Sequence, residues 1–374
     1  MKKVLIASTA LVAATIVSAG AASASEKIKL ELGGYSKWWV VGQWQSDSFQ
    51  SKNNVDYNSV DIKGDNEVFF GGSTTLDNGL KVGINIELEA GGNVETKGGD
   101  TIDKSAVFVE GGFGKVIVGS EANGTALLHV YAPDAAGNND SDGILTGGWA
   151  IVQPGASAIT RFSTSIDTDD NAEKITYVAP SFYGLTVGAS YVPNAGGTED
   201  TRGTVNLHSA VAGEIYGVGA LYANTFGGVD LKVSTGWVTY DAEAGIAQRA
   251  KVNEYSAGTQ ISYAGFTVGG SYRQVNSNES LDGTVASSGN IWDAGVQYAT
   301  GPYAVSFIFV KSVAEDAPGT EDKFTAFQVS GKYALGAGVD ALATIGHAQF
   351  DDSTGAAVNE NKGWAAMTGL SLAF

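Results

Sequence analysis

The sequence predicts an all-β fold, a transmembrane antiparallel β-barrel of sixteen strands. Three observations lead there. Alternating apolar and polar segments recur along the whole chain, short and long connections take turns between them, and no apolar run after residue 24 approaches the roughly 18 residues that a membrane helix needs. In lipid every backbone hydrogen bond must be made internally, which only helices and closed barrels achieve.

The strands come first. "LKVGINIEL" sets Leu80, Val82, Ile84, Ile86 and Leu88 on one face, and Lys81, Gly83, Asn85 and Glu87 on the other. "LTVGASYV", "FTVGGSYR", "IWDAGVQYA" and "YAVSFIFV" repeat that pattern, with aromatic residues near strand ends. Strands are expected near 27–44, 66–76, 80–90, 103–111, 115–122, 172–179, 185–193 and 206–225. The other eight are expected near 229–241, 253–263, 266–275, 289–299, 303–312, 323–333, 339–350 and 362–374. Turns such as "DNG" (77–79), "GFG" (112–114) and "TGP" (300–302) alternate with long acidic loops at 45–65, 92–102, 194–202, 276–288, 313–321 and 351–361. That asymmetry is how outer-membrane barrels are built. An exported soluble β-sandwich would not show it.

The chain ends "GLSLAF", with Phe374, Leu372, Leu370 and Thr368 on one face. A terminal aromatic is expected to be locked in a strand that pairs with the first one and closes the barrel. Trp38, Trp44, Tyr177, Tyr191, Trp237, Tyr263, Tyr298, Tyr303 and Trp364 are expected to form interfacial girdles.

Residues 1–24 read as a secretory signal peptide: Lys2 and Lys3, an apolar stretch, then "ASA". The barrel domain would then span 25–374. The chain has no cysteine, and removing Lys2 and Lys3 leaves 20 basic against 40 acidic residues, a charge of −20. A charge of that sign argues against nucleic acid and anionic lipid headgroups as partners. His129, His208 and His347 are isolated, and no nucleophile elbow, zinc motif or cysteine cluster is present. His129 near Asp134 is expected to be a solvated loop histidine, so no enzyme and no catalytic residue is expected.

The hairpin signature "TVGASY" or "TVGGSY", the stretch "DAGVQYATGPYAV" and the ending "GLSLAF" together resemble the Gram-negative general porins, with the alphaproteobacterial branch most similar. The resemblance spans nearly the whole mature chain and is strongest from about 250 to 374. It implies a homotrimer in the outer-membrane lipid, a C-terminal Phe374 read by the barrel-assembly machinery, and passage of small hydrophilic solutes and ions without a cofactor. It also implies that the long non-alternating segment 121–161 folds inward as a constriction, with Glu121, Asp134, Asp140 and Asp142 as its carboxylates. Inward positions Lys37, Lys81 and Lys115 would oppose them and set a transverse field. The family's arginine ladder is absent, since the chain has only Arg161, Arg202, Arg249 and Arg273; weak to moderate cation preference is therefore expected. Tyr131 and Trp149 would serve a substrate-selective channel, such as one for sugars. A plugged lumen would instead make the barrel a surface anchor.

Within the loop, Asn138, Asp140, Asp142 and Gly143 have the opening spacing of a calcium loop, but Trp149 stands where the bidentate glutamate belongs. An Asx-rich turn accounts for the same residues. "DTDDNAE" (167–173) is a weaker candidate of the same kind.

Overall fold

The computed structural model describes residues 27–91, 102–140, 143–195, 212–243, 249–277, 288–317 and 320–374. The proposed signal peptide, Asp142 and several loop tips lie outside them. Among the described residues there are sixteen strands: β1 (Glu31–Gln45), β2 (Val60–Thr75), β3 (Lys81–Glu89), β4 (Ile102–Gly111) and β5 (Gly114–Ser120). Next come β6 (Glu173–Val178), β7 (Leu185–Asn194), β8 (Ala212–Phe226), β9 (Val229–Glu243), β10 (Arg249–Tyr263) and β11 (Phe266–Ser277). The last are β12 (Gly289–Thr300), β13 (Tyr303–Ala317), β14 (Thr320–Gly336), β15 (Val339–Asp351) and β16 (Asn361–Ala373). Each pairs antiparallel with its sequence neighbour, and β1 pairs with β16 to close the barrel.

The closing seam includes the final residue. Phe374 N donates to Gly34 O at 3.1 Å, and Gly34 N donates to Phe374 O at 3.0 Å. The outward set on β16 is the expected one, with Leu370, Leu372 and Phe374 all exposed. All nine residues expected in the girdles are likewise exposed large aromatics. Trp39, one position from Trp38, is 2% exposed and faces inward. Adjacent tryptophans on opposite faces are what a period of two requires.

Several elements differ from expectation: 313–321, expected to be a long loop, is strand as far as Ala317 in β13 and again from Thr320 in β14. β2 begins at Val60, because Val60 and Ile62 continue the outward face while Asp61, Lys63 and Asp65 continue the inward one. Those residues lie in the stretch expected to be loop. A short helix α1 (Asp47–Asn53) also fills part of the β1–β2 connection, burying Phe49 and ending at Asn54 in the left-handed region (φ 53°).

A sixteen-stranded barrel is wide enough to leave a water-filled lumen unless something fills it. Here the segment between β5 and β6, residues 121–172, lies against the inner wall. Its Ile144, Leu145, Ala150, Ile151 and Ile159 join Trp39, Val41, Phe324, Leu342, Phe350 and Met367 in one buried apolar cluster. Ile166 joins Val192, Ile215, Val238, Tyr240 and Val252 in a second.

Candidate functional site

The path of the 121–172 segment follows from its hydrogen bonds. Leaving β5, Gly124 N donates to Ser190 Oγ on β7 (2.7 Å), and Val130 N donates to Ser234 Oγ on β9 (3.0 Å). Tyr131 O then accepts from Gln260 Nε2 on β10 (2.7 Å), and Ala132 N donates to Asp293 Oδ1 on β12 (3.3 Å). Asp134 accepts from Ser306 Oγ on β13 at 2.7 Å. At the far side Gly137 O accepts from Lys37 Nζ at 3.0 Å, and Ala150 O accepts from Gln45 Nε2 at 2.9 Å. The return leg bonds Asp322 on β14 through Ala158 N (2.7 Å) and Ser271 on β11 through Thr164 Oγ1 (2.6 Å).

The outbound leg comes this close because the wall lacks side chains beneath it. Gly188, Gly219 and Gly236 are register partners across β7, β8 and β9. A Cβ at Gly219 would stand 2.8 Å from Gly124 O, and one at Gly258 would collide with Val130 O. Only glycine permits that approach of two backbones.

The return leg is held by Arg273 of β11, buried at 3% exposure. Its guanidinium donates to Ser165 O (2.6 Å), to Asp167 (2.5 Å), to Thr168 Oγ1 (2.8 Å) and to Glu254 of β10 (2.7 and 2.8 Å). Lys174 of β6 closes the segment, donating to the carbonyls of Glu121 and Asp170 and lying 3.3 Å from Asp169. Arg273, Glu254 and Lys174 were not singled out in the sequence. The available signal was parity: each stands on an inward position of a strand that otherwise carries small or apolar residues there.

The residues expected to form the constriction are placed as follows. Glu121 is buried at the mouth of the segment, its Oε1 accepting from Ala122 N at 2.8 Å. Burial raises its carboxyl above the ordinary range, opposed by that N–H and by Lys104 and Lys115. Asp134 is pinned to the wall by Ser306 and also accepts from Asn138 N at 2.6 Å. Asp140 is half-buried, and Asp142 lies outside the described residues. The carboxylates are thus spread along the segment and do not form a single bank. Lys37 touches the segment, whereas Lys81 and Lys115 flank the Phe108 ring at 6.0 and 4.3 Å, near the short turns.

His129 is packed against its neighbours and not solvated, contrary to expectation, and its contacts are with residues other than Asp134. Its Nε2 bonds Thr164 Oγ1 at 3.0 Å, and its ring packs edge-on to Tyr131 at 4.6 Å. Burial and the Arg273 charge lower its pKa to about 3. Asn138, the first residue of the calcium-like spacing, is 1% exposed, and neither polar atom of its side chain has a partner among the described residues. Among the described residues, the carboxylates close enough to share a cation are instead Glu67, Glu89 and Asp103, with ligand atoms within 4.8 Å of one another.

The segment covers the inner faces of β7 to β16. The inner faces of β2 to β4 keep partly exposed charge: Lys63 with Asp61 (2.8 Å), Lys104 with the buried Glu87 (2.6 Å), and Tyr35 of β1 donating to Asp65 (2.8 Å) and Glu67 (3.0 Å). What the geometry presents is a barrel half lined by its own loop and half by charged side chains.

The family model for Gram-negative porins matches residues 7–353 of this chain. The chain belongs to the Gram-negative porins. No curated protein sequence matched this porin. Among solved structures, an anion-selective porin from Comamonas acidovorans is similar at TM-score 0.65 and 15% identity, covering 93% of this chain and 100% of that one. The outer membrane channel DcaP of Acinetobacter baumannii is similar at 0.66 and 11%, covering 93% and 97%. The trimer form of OmpT from Vibrio cholerae is similar at 0.60 and 12%, covering 94% and 100%. At these identities the likeness is one of fold. Proteins of this family and fold are outer-membrane channels, not enzymes.

Proposed function

We propose that this porin is a passive diffusion channel for small hydrophilic solutes and ions, open between the seated 121–172 segment and the charged inner faces of β1 to β5. The observation that carries the reading is the one-sided seat: the loop is fastened to β7–β16 and to β1 through Lys37 and Gln45, while Lys63, Asp65, Glu67 and Lys104 stand along the uncovered wall of β2–β4. The wall's lysines are largely neutralised by their own carboxylate partners. The grouping of Glu67, Glu89 and Asp103 places three carboxylates together on that wall, in a chain with 40 acidic against 22 basic residues. Weak cation preference is the reading this supports.

Trp149 is 60% exposed, but Tyr131 packs against His129 and bonds Ser163. One exposed ring gives no stacking track for sugars, which favours general diffusion over a sugar-selective channel. The proposal includes export by the 1–24 signal peptide, assembly through Phe374, and a homotrimer; a compact monomer in mild detergent would overturn the last.

Single-channel recording in a planar bilayer, with reversal potential under a salt gradient, tests the reading. Large stepwise openings in threes with cations favoured are expected. Anion preference would overturn the charge assignment, and absence of conductance would turn the segment from a constriction into a plug.

A further inference from the structure

Two lysines expected to oppose the loop stand elsewhere, and together. Lys81 opens β3 and Lys115 lies at the start of β5, each beside a short turn, and Glu110 of β4 is the register partner of both. Among the described residues neither lysine makes an ion pair with that carboxylate. Both ammonium groups stand over the ring of Phe108 instead, at 6.0 and 4.3 Å from its centre. Gly83 of β3 is the register partner of Phe108, and a Cβ there would collide with the ring atoms Cζ and Cε1. The ring therefore lies across bare backbone. Lys81, Phe108, Glu110 and Lys115 are all half-buried on the inward face.

Like charges gathered over one ring repel each other, and the negative face of the ring answers only part of that charge. An anion carrying a hydrocarbon body would meet both the cations and the half-exposed ring. Lys81 and Glu89 are the two ends of β3, eight residues apart. At roughly 3.3 Å per residue and a tilt of about 45°, that is about 19 Å along the barrel axis. Such a distance exceeds the screening length of about 8 Å in physiological salt. The lysine pair thus acts independently of the Glu67, Glu89 and Asp103 carboxylates farther up the same wall. Its end of the barrel is the short-turn end, which faces the periplasm.

We propose that Lys81, Lys115 and Phe108 form a subsite for small organic acid anions at the short-turn mouth of the lumen. The carboxylate sits between the two ammonium groups, and the hydrocarbon chain rests against the ring and the lysine stems. The subsite enriches small carboxylates at one mouth, while the acidic wall above it favours cations. The assignment rests on the channel reading above, because the ligand arrives through the lumen.

The test is saturation-transfer NMR on the purified full-length porin in deuterated detergent micelles. Butyrate is the probe, and butyramide and formate are the comparisons. Butyrate is expected to take up saturation; butyramide lacks the charge and formate the chain, and both are expected to bind several-fold more weakly. K81Q/K115Q is expected to weaken butyrate binding about tenfold, and K81R/K115R to bind as wild type. E110Q removes the competing carboxylate and is expected to tighten binding about threefold, a gain that a misfolded barrel would not give. Unchanged binding in K81Q/K115Q, butyramide or formate binding equal to butyrate, or no tightening in E110Q would each overturn the proposal. Planar-bilayer recording of the same wild-type sample separates the two readings. A protein that binds butyrate yet passes no current sinks the channel reading alone, and one that conducts yet ignores butyrate sinks the subsite alone.

Discussion

Arg273 and Glu254 show how single residues hold the interior together. Both are buried, and their pairing satisfies a backbone carbonyl and a threonine hydroxyl of the return leg as well as each other. Removing one member of such a pair leaves a buried charge alone, which costs about 3–5 kcal/mol. R273Q is therefore expected to lower the unfolding midpoint in detergent and raise open-channel noise, while E254Q/R273M costs less than the two single changes added. His129 sets a pH dependence. A histidine held near 3, below its ordinary 6.5, takes up its proton more readily when the loop is unseated. The seat is thus at full strength above about pH 6.5 and weakens as pH falls toward 3. Glu121 and Asp169, raised by burial, act in the opposite sense. Comparing H129Q with wild type isolates the histidine: the wild type's additional loss of loop stability between about pH 7 and pH 4 is expected to vanish in the variant. In sequence a lone histidine or arginine offers no more than its parity, and the loop groups that His129 and Arg273 meet lie 35 and 108 residues away.

At the scale of elements, the strands were the readable part. Sixteen alternating segments separated by glycine turns have a period that survives without knowledge of the neighbours. The error at β2 came from charge: "VDIKGD" looked like a loop because half its residues are charged, yet in a barrel the inward half is meant to be polar. The glycines were visible as a count but not as a track, since their alignment depends on inter-strand register. That track gives a sharp prediction. G258A places a methyl group against Val130 O and is expected to cost about 1–3 kcal/mol and loosen the loop, read as larger and noisier conductance. G331A, where the nearest atom to an added methyl is Ala304 O at 3.9 Å, is expected to leave both unchanged.

For the whole molecule, the lumen divides into a half covered by the loop and a half lined by charged side chains. Glu67 and Glu89 are direct register partners, and like charges facing each other across a strand pair destabilise it. E67Q/E89Q is accordingly expected to stabilise the barrel slightly and shift the reversal potential toward anions, while K37Q shifts it the other way. The length of 121–161 and the family resemblance pointed to a segment that does lie against the inner wall, while the contacts its charged groups make depend on strand register, which sequence does not supply. Glu121 and Asp134 serve the seat, and the open charge stands on β2 to β4, where carboxylates and lysines alternate between strands.

The β1–β16 seam sets an order of events for biogenesis. Tyr35 near one end of the chain is the register partner of Ala373 near the other, so the edge of β1 stays bare until the last strand has been made and delivered. A bare strand edge is a template for pairing with any other chain. Ile151 packs over Gly363 of that same last strand, so the interior loop cannot finish docking before the wall is complete. Closure of the cylinder and the docking of its interior loop therefore both depend on the same last strand.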